Sequence, residues 1–198
     1  MSTESVEARI LAAAQTRLRR EGLRRLTVVR IAEDAGMTHA NVYRFFKSKA
    51  DLVDRLISDW LRDLERRLTD ITQAPDPAHD KLERFLTLVS RNYADKARSD
   101  PRLFDALIDA LDQQRPAALR HRQRQRDLLL QVVEEGIATR LFAGSDPRRL
   151  RQTISDLMHR FIDPHALRTA ASIEPASFDA RRERATRAVL RTLAAARI

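Results

Sequence analysis

The sequence predicts an all-α protein from three observations. Charged residues make up 33% of the 198-residue chain beside 43% hydrophobic ones, a mixture that gives helices with an apolar stripe and a polar outer face. Gly and Pro are few, 4 and 7, and runs of β-branched or aromatic residues are scarce. Prolines also fall just after polar residues, at Asp100-Pro101, Arg115-Pro116 and Asp146-Pro147, where they start helices rather than break them. A length of 198 residues suits one large or two small domains, at about 100–200 residues per domain.

Val6, Ile10, Leu11, Ala14 and Leu18 share one helical face with arginines opposite, and Gly22 suits the stop. Thr27 can cap a short second helix through Ile31, Ala32 and Ala35, closed by Gly36. Thr38 can cap a third, running through Val42 to about Phe46. Two short helices joined by a tight Gly-containing turn make a helix-turn-helix.

Ser48, with Asp51 three positions on, starts a long fourth helix in the manner of a capping box. Its stripe is Leu52, Val53, Leu56, Ile57, Trp60, Leu61, Leu64 and Leu68, and Pro75 and Pro77 in "QAPDPAHD" break the pattern. Further helices are expected at 78–97, 101–113, 116–141, 147–162 and 176–196, the last starting near Pro175.

Charge and composition narrow the function classes. The net charge is +9, and residues 1–50 hold ten basic residues against five acidic ones. That surplus points to a polyanionic partner. The absence of Cys excludes disulfides, thiolate zinc sites and cysteine nucleophiles, and fits a reducing cytoplasm. No apolar run approaches the roughly 18 residues of a membrane span, so a cytoplasmic location without membrane attachment is expected. Glycines at 22, 36, 136 and 144 permit neither a phosphate-binding loop nor a dinucleotide fingerprint, and no Gly-x-Ser-x-Gly or His-Glu-x-x-His is present. Neither an enzyme nor a resident cofactor is expected.

The stretch "THANVYRFFKSK", residues 38–49, gathers rings, amides and cations. Val42 and Phe46 are four apart and can face the preceding helices, which leaves Thr38, His39, Asn41, Tyr43 and Arg44 for the major groove, whose width of about 12 Å barely admits a helix. Asn41 suits bidentate pairing with adenine, Arg44 suits guanine or a phosphate, and His39 suits a base edge. Each good pair discriminates by about 1–3 kcal/mol. Ala40 could pack on a thymine methyl. For His39 and Arg44 taken singly, a solvated surface role is the competing reading.

"LTVVRIAEDAGMTHANVYRFFKSKADLVDRLI", residues 26–57, resembles the DNA-binding segment of the TetR (tetracycline repressor) family of transcriptional regulators. Thr27, Ile31-Ala32, Ala35-Gly36, Tyr43, Phe46, Lys47-Ser48-Lys49 and Leu52 carry the likeness. The resemblance implies that Tyr43, Thr38 and Thr27 donate to phosphates, that Lys47 holds the DNA backbone, and that Lys49 adds its charge to a helix N-terminus. Phe45 stands where the family commonly has a polar ring, and whether it faces the core or the DNA stays open.

The same resemblance implies a DNA-binding head at residues 1–47 and a ligand-binding and dimerisation region at 48–198, joined by a helix at about 48–72. A homodimer held by the helices at 147–162 and 176–196 would bind a palindromic double-stranded operator as a repressor released by a small-molecule effector. Trp60, Phe85, Phe104, Phe142, Met158 and Phe161 lie on apolar helical faces; they are core residues by default and candidate walls of the effector pocket by resemblance.

A helical interaction module whose basic N-terminal face binds an acidic protein is the alternative, separated by whether duplex binding depends on salt and base sequence. Two other signals carry less. "RHRQRQR", residues 120–126, alternates its arginines around a helix and reads as a solvated face. His159, Asp163 and His165 flank Pro164, where polar capping of a helix break is favoured over a metal site.

Overall fold

The computed structural model describes residues 5–195, which contain helices and no strand. In chain order these are α1 (Val6–Glu21), α2 (Val28–Asp34), α3 (His39–Phe45), α4 (Lys49–Gln73), α5 (Ala78–Ser99), α6 (Pro101–Asp112), α7 (Pro116–Ala138), α8 (Pro147–Ile162), α9 (Pro164–Arg168) and α10 (Pro175–Ala195). Short 3-10 turns lie at Leu23–Arg25 and Thr169–Ser172. The all-α expectation holds, with a helix-turn-helix followed by a helical bundle. Position 196, the expected end of the last helix, lies outside the described residues.

The first three helices share one apolar patch. Ile10, Ala14 and Leu18 of α1 meet Ile31 and Ala32 of α2 and Val42 of α3, with Phe46 behind them. Thr27, Thr38 and Ser48 each cap the helix that follows, their hydroxyl oxygens accepting from the N–H of Arg30, Asn41 and Asp51.

The tight turn is built by α2's C-terminus. Gly36 sits at φ +66°, Met37 N–H donates to Ala32 O at 3.0 Å and Gly36 N–H to Glu33 O at 3.1 Å, the paired bonds of a Schellman stop. Two arginines of α1 hold that stop in place. Arg9 donates to Ala35 O at 2.6 Å, and Arg17 forks onto Asp34 at 2.6 and 2.7 Å. The Arg17 hydrogen bonds, foremost, keep the Asp34 carboxyl below its ordinary range.

α4 spans about 37 Å at 1.5 Å per residue and buries Leu52, Val53, Leu56, Ile57, Leu61, Leu64 and Leu68 against α5, α6 and α7. At about 1.5–3 kcal/mol for each fully buried large aliphatic side chain, this stripe fixes the helix within the bundle. Polar bonds fix its other end to the helix-turn-helix. Lys49 Nζ donates to Leu23 O at 2.9 Å and Arg55 reaches Glu7 at 2.7 Å, while Arg19 of α1 pairs with Asp100, between α5 and α6, at 2.7 Å. Asp100 also caps α6 through Leu103 N–H and is only 2% exposed.

α6 is amphipathic, burying Leu103, Phe104, Ala106, Leu107, Ile108, Ala110 and Leu111 while Arg102, Asp105, Asp109 and Asp112 keep to the opposite face. α8 and α10 pack on each other and on α5.

The structure differs from the sequence reading most at the end of α7 and at α9. α7 stops at Ala138 rather than at 141, because Arg140 takes a left-handed φ of +59° and Phe142 folds back so that its N–H reaches Gly136 O at 2.9 Å. A Cβ on Gly136 would lie 2.1 Å from the Phe142 ring, so the glycine is what admits the reversal. The short α9 went unread: Asp163 Oδ1 accepts from His165 and Ala166 N–H, and Pro164 begins a single helical turn.

Candidate functional site

α3 divides into an inner and an outer face. Val42 and Phe46 are buried, whereas Thr38, His39, Ala40, Tyr43 and Arg44 are exposed and Asn41 is half-buried. His39 and Tyr43, one turn apart, meet edge to face with ring centres 6.5 Å apart. Phe45 is 47% exposed, matching Tyr43 at 48%. Its ring therefore belongs to the outer face of α3 rather than the core.

Thr27 and Thr38 are both exposed, and each spends an oxygen lone pair on its cap while keeping a hydroxyl proton to donate. Lys47 is exposed between α3 and α4. Lys49 stands differently from the other cations of the stretch: it is half-buried, and its ammonium is directed at Leu23 O.

A second feature is a cavity of about 260 Å³ between α5, α6, α7, α8 and the start of α9. Leu107, Leu111 and Ile162 supply apolar wall, and Arg122, Arg126 and Arg151 supply charge. Tyr93 and His121 lie at its inner side. Tyr93 Oη is 2.8 Å from His121 Nε2 and donates to Gln125 Oε1 at 3.1 Å, while His121 Nδ1 is 2.6 Å from Glu65 Oε1 on α4.

The chain of polar groups shifts its members. Burial pushes the Tyr93 phenol well up, helped by the nearby Asp163 and Glu65 charges, and the His121 hydrogen bond holds the Glu65 carboxyl below its ordinary range.

None of the six aromatic and Met candidates for pocket walls lines this cavity. Phe85, Phe104 and Met158 are enclosed in the core. Phe104 lies 6.3 Å, ring centre to ring centre, from both Trp60 and Tyr93. Phe142 covers Gly136, and Phe161 tilts against Phe178 at 5.6 Å. Trp60 instead borders an open groove of about 890 Å³ between α4 and α5, with Lys96 Nζ 5.1 Å from its ring centre.

The cavity's own residues come from the segment read as a solvated face. Arg120, Arg124 and Arg126 are indeed exposed and Arg122 is half-buried, but Arg122 and Arg126, four apart, both border the cavity, and His121 is buried. Spacing alone does not choose between the pairs 120/124 and 122/126, so the sequence held no signal for the cavity face. Among the described residues no group of three or more His, Cys, Asp or Glu could hold a metal ion, and no helix is long and apolar enough to cross a membrane.

Residues 10–56 match the family model for bacterial regulatory proteins of the tetR family, and residues 78–181 match the model for a tetracyclin repressor-like C-terminal domain. No curated protein matches the chain.

Solved structures share its fold. A TetR/AcrR family transcriptional regulator from Thermobifida fusca superposes with a TM-score of 0.69 at 21% identity, covering 93% of this chain and 96% of that one. The regulator FadR from Bacillus subtilis, in complex with stearoyl-CoA, gives 0.63 at 19% identity over 95% and 97%. RolR in complex with resorcinol gives 0.60 at 19% identity over 95% and 87%. The two family models together span the helix-turn-helix and most of the bundle, and the chain belongs to the TetR family of transcriptional regulators, which are DNA-binding transcription factors and not enzymes.

Proposed function

We propose that this protein is a cytoplasmic repressor that binds a palindromic operator as a homodimer and is released by a small-molecule effector. The observation that carries the reading is the outer face of α3, where His39, Asn41 and Arg44 stand clear of the buried Val42 and Phe46. In it, these three read base edges, Ala40 meets a thymine methyl, and Thr27, Thr38, Tyr43 and Lys47 hold phosphates. The functional division falls at residues 1–47 and 48–198.

One reading helix covers one half-site, so two are needed to make a weak contact specific. The helices α8 and α10 supply the pairing surface in this reading, with Leu157 of α8 52% exposed on the outside. FadR and RolR, which share the fold, were solved in complex with stearoyl-CoA and resorcinol, which supports a small-molecule effector, and in this reading the effector enters the cavity between α5 and α9.

Release follows from differential affinity: an effector that binds the non-DNA-binding arrangement more tightly shifts the population by that difference. The route is physical. His121 in the cavity wall holds Glu65 of α4, Arg115 at the start of α7 forks onto Asp54 of α4 at 2.8 and 2.9 Å, and α4 holds the helix-turn-helix through Lys49.

In-vitro selection of bound genomic fragments tests the reading and supplies the operator. A palindromic consensus is expected, with the Asn41→Ala variant relaxing preference at one position of each half-site. Equal binding to every duplex, unchanged by Asn41→Ala, would defeat it.

A further inference from the structure

The cavity between α5 and α9 has a charge pattern that the family assignment does not explain. Arg122, Arg126 and Arg151 all border it, yet among the described residues none of the three makes an ion pair, and the side chains of Arg122 and Arg126 make no hydrogen bond. Arginines that bridge helices, Arg17, Arg19, Arg55 and Arg115 among them, are by contrast ion-paired. The two carboxylates at the cavity are occupied otherwise. Asp163 caps α9, and Asp156 accepts from Gln152 Nε2 at 2.8 Å.

Three guanidiniums against two carboxylates, with no guanidinium paired to either, leave the cavity with an excess of positive charge. Burial, and then the charges of Arg122 and Arg151, depress the pKa of Arg126. Such a cluster is matched by an oxyanion, which accepts forked, charge-assisted hydrogen bonds from guanidinium. Beneath the charges lie Leu107, Leu111 and Ile162, with the Tyr93 and His121 rings beside them. A cavity of about 150 Å³ already accepts benzene, so about 260 Å³ accommodates one ring and its charged substituent.

We infer that this cavity takes a compact organic oxyanion, a carboxylate or phosphate on an apolar body of about one ring, seated between Arg122, Arg126 and Arg151. The inference rests on the effector reading above and names its ligand class. The anion neutralises the cluster while the ring displaces water from the Leu107, Leu111 and Ile162 wall. Pressed against Tyr93 and His121, the ring reaches the group that holds Glu65 of α4.

The test uses the full chain with benzoate, phenyl phosphate, the neutral benzyl alcohol and inorganic phosphate at constant ionic strength, read by calorimetry and thermal melting. Benzoate or phenyl phosphate binds and raises the melting temperature, the tighter of the two identifying the oxyanion. Benzyl alcohol and inorganic phosphate bind about tenfold or more weakly, each lacking one half of the recognition.

Arg126→Gln weakens the oxyanion by about tenfold and leaves benzyl alcohol unchanged. It also raises the melting temperature of the ligand-free protein, because one of three repelling charges is gone. Arg151→Gln repeats the pattern from the neighbouring helix.

Binding of benzyl alcohol as tight as that of the oxyanions, no binding of either oxyanion, or full oxyanion affinity in both variants overturns the inference. Inorganic phosphate binding as tightly as phenyl phosphate overturns its apolar half. Operator binding is measured separately: failure here with sequence-specific duplex binding intact leaves the regulator reading standing, and loss of the latter leaves these binding results standing.

Discussion

His121 Nδ1 lies 2.6 Å from Glu65 Oε1, across the contact between α7 and α4 and 56 residues apart in sequence. The pair fastens the wall of the cavity to the helix that leads to the helix-turn-helix. Glu65 has a folded-state pKa depressed first by this hydrogen bond. Its contribution is therefore fully present above the unfolded carboxylate value of about 4.3 and is lost as pH falls through the folded value. Glu65→Gln removes that dependence. The urea midpoint of the variant should fall less steeply than that of the wild type between about pH 5 and pH 3, and identical slopes would show that the pair contributes nothing to acid stability.

Tyr93, the other partner of His121, is enclosed, and its phenol is pushed up first by burial. A raised folded-state pKa gives stability that is complete below the unfolded value of about 10 and declines as pH rises toward the folded one. The chain has two tyrosines, so Tyr43→Phe leaves Tyr93 alone. Ultraviolet titration of that variant should show no tyrosinate as pH passes about 10 until the chain unfolds, when absorbance and helix signal change together. Reversible ionisation with the helix content retained would mean that Tyr93 is open to water.

The helices and the inner face of α3 were legible because local rules and tertiary packing agree there. Val42 and Phe46 are four apart, and both are buried; Thr27, Thr38 and Ser48 read as caps, and each accepts the expected bond. Phe45 was open in the sequence because it stands where the family commonly has a polar ring, and its exposure follows from how α3 sits on α2.

The cavity was not legible. Aromatic size drew the expectation to Phe85 and Phe104, but large apolar rings are what a closed core consumes first, and these became core. The cavity lies instead where α7 and α8 present long charged side chains that cannot fill an apolar contact. Which face of α7 meets α8 is a tertiary fact that the alternating arginines of 120–126 do not encode.

Gly136 and Phe142 give a prediction that runs against helix propensity. Alanine in a helix interior is favoured over glycine by about 1 kcal/mol. Here, however, the new methyl would stand 2.1–2.7 Å from three carbons of the Phe142 ring. The ring is 4% exposed, and a close-packed interior resists its displacement. Overpacking of this kind costs about 1–3 kcal/mol, so Gly136→Ala should lower the urea midpoint, and a raised midpoint would show that the loop at 140–144 yields instead.

Gln114 offers the opposite case. It follows α6 at φ +52°, with Arg115 N–H donating to Ala110 O at 2.8 Å and its own N–H to Leu111 O at 3.1 Å, the stop that glycine usually makes. A Cβ in that backbone conformation costs about 1–2 kcal/mol, against the greater unfolded-state freedom of glycine. Gln114→Gly should be neutral to about 1 kcal/mol stabilising in urea unfolding, whereas glycine inserted one turn earlier, at Ala110, should destabilise.

Lys47 and Lys49 separate two ways in which a cation can serve DNA binding. Lys47 is exposed beside α3, so its loss should cost one phosphate contact. Lys47→Ala should then weaken all duplexes alike and reduce the magnitude of the salt slope by about 1. Lys49 is half-buried with its ammonium on Leu23 O at 2.9 Å, which makes it a strut between α4 and the turn after α1.

Lys49→Ala should also weaken all duplexes, because α3 loses its fixed orientation on α4, but the salt slope should change by much less than in Lys47→Ala. Lys49→Met keeps the aliphatic stem and removes the donor, so it should resemble Lys49→Ala in binding while recovering most of any lost thermal stability. Equal reductions of the salt slope in Lys47→Ala and Lys49→Ala would mean that the ammonium of Lys49 leaves Leu23 for a phosphate when DNA is bound.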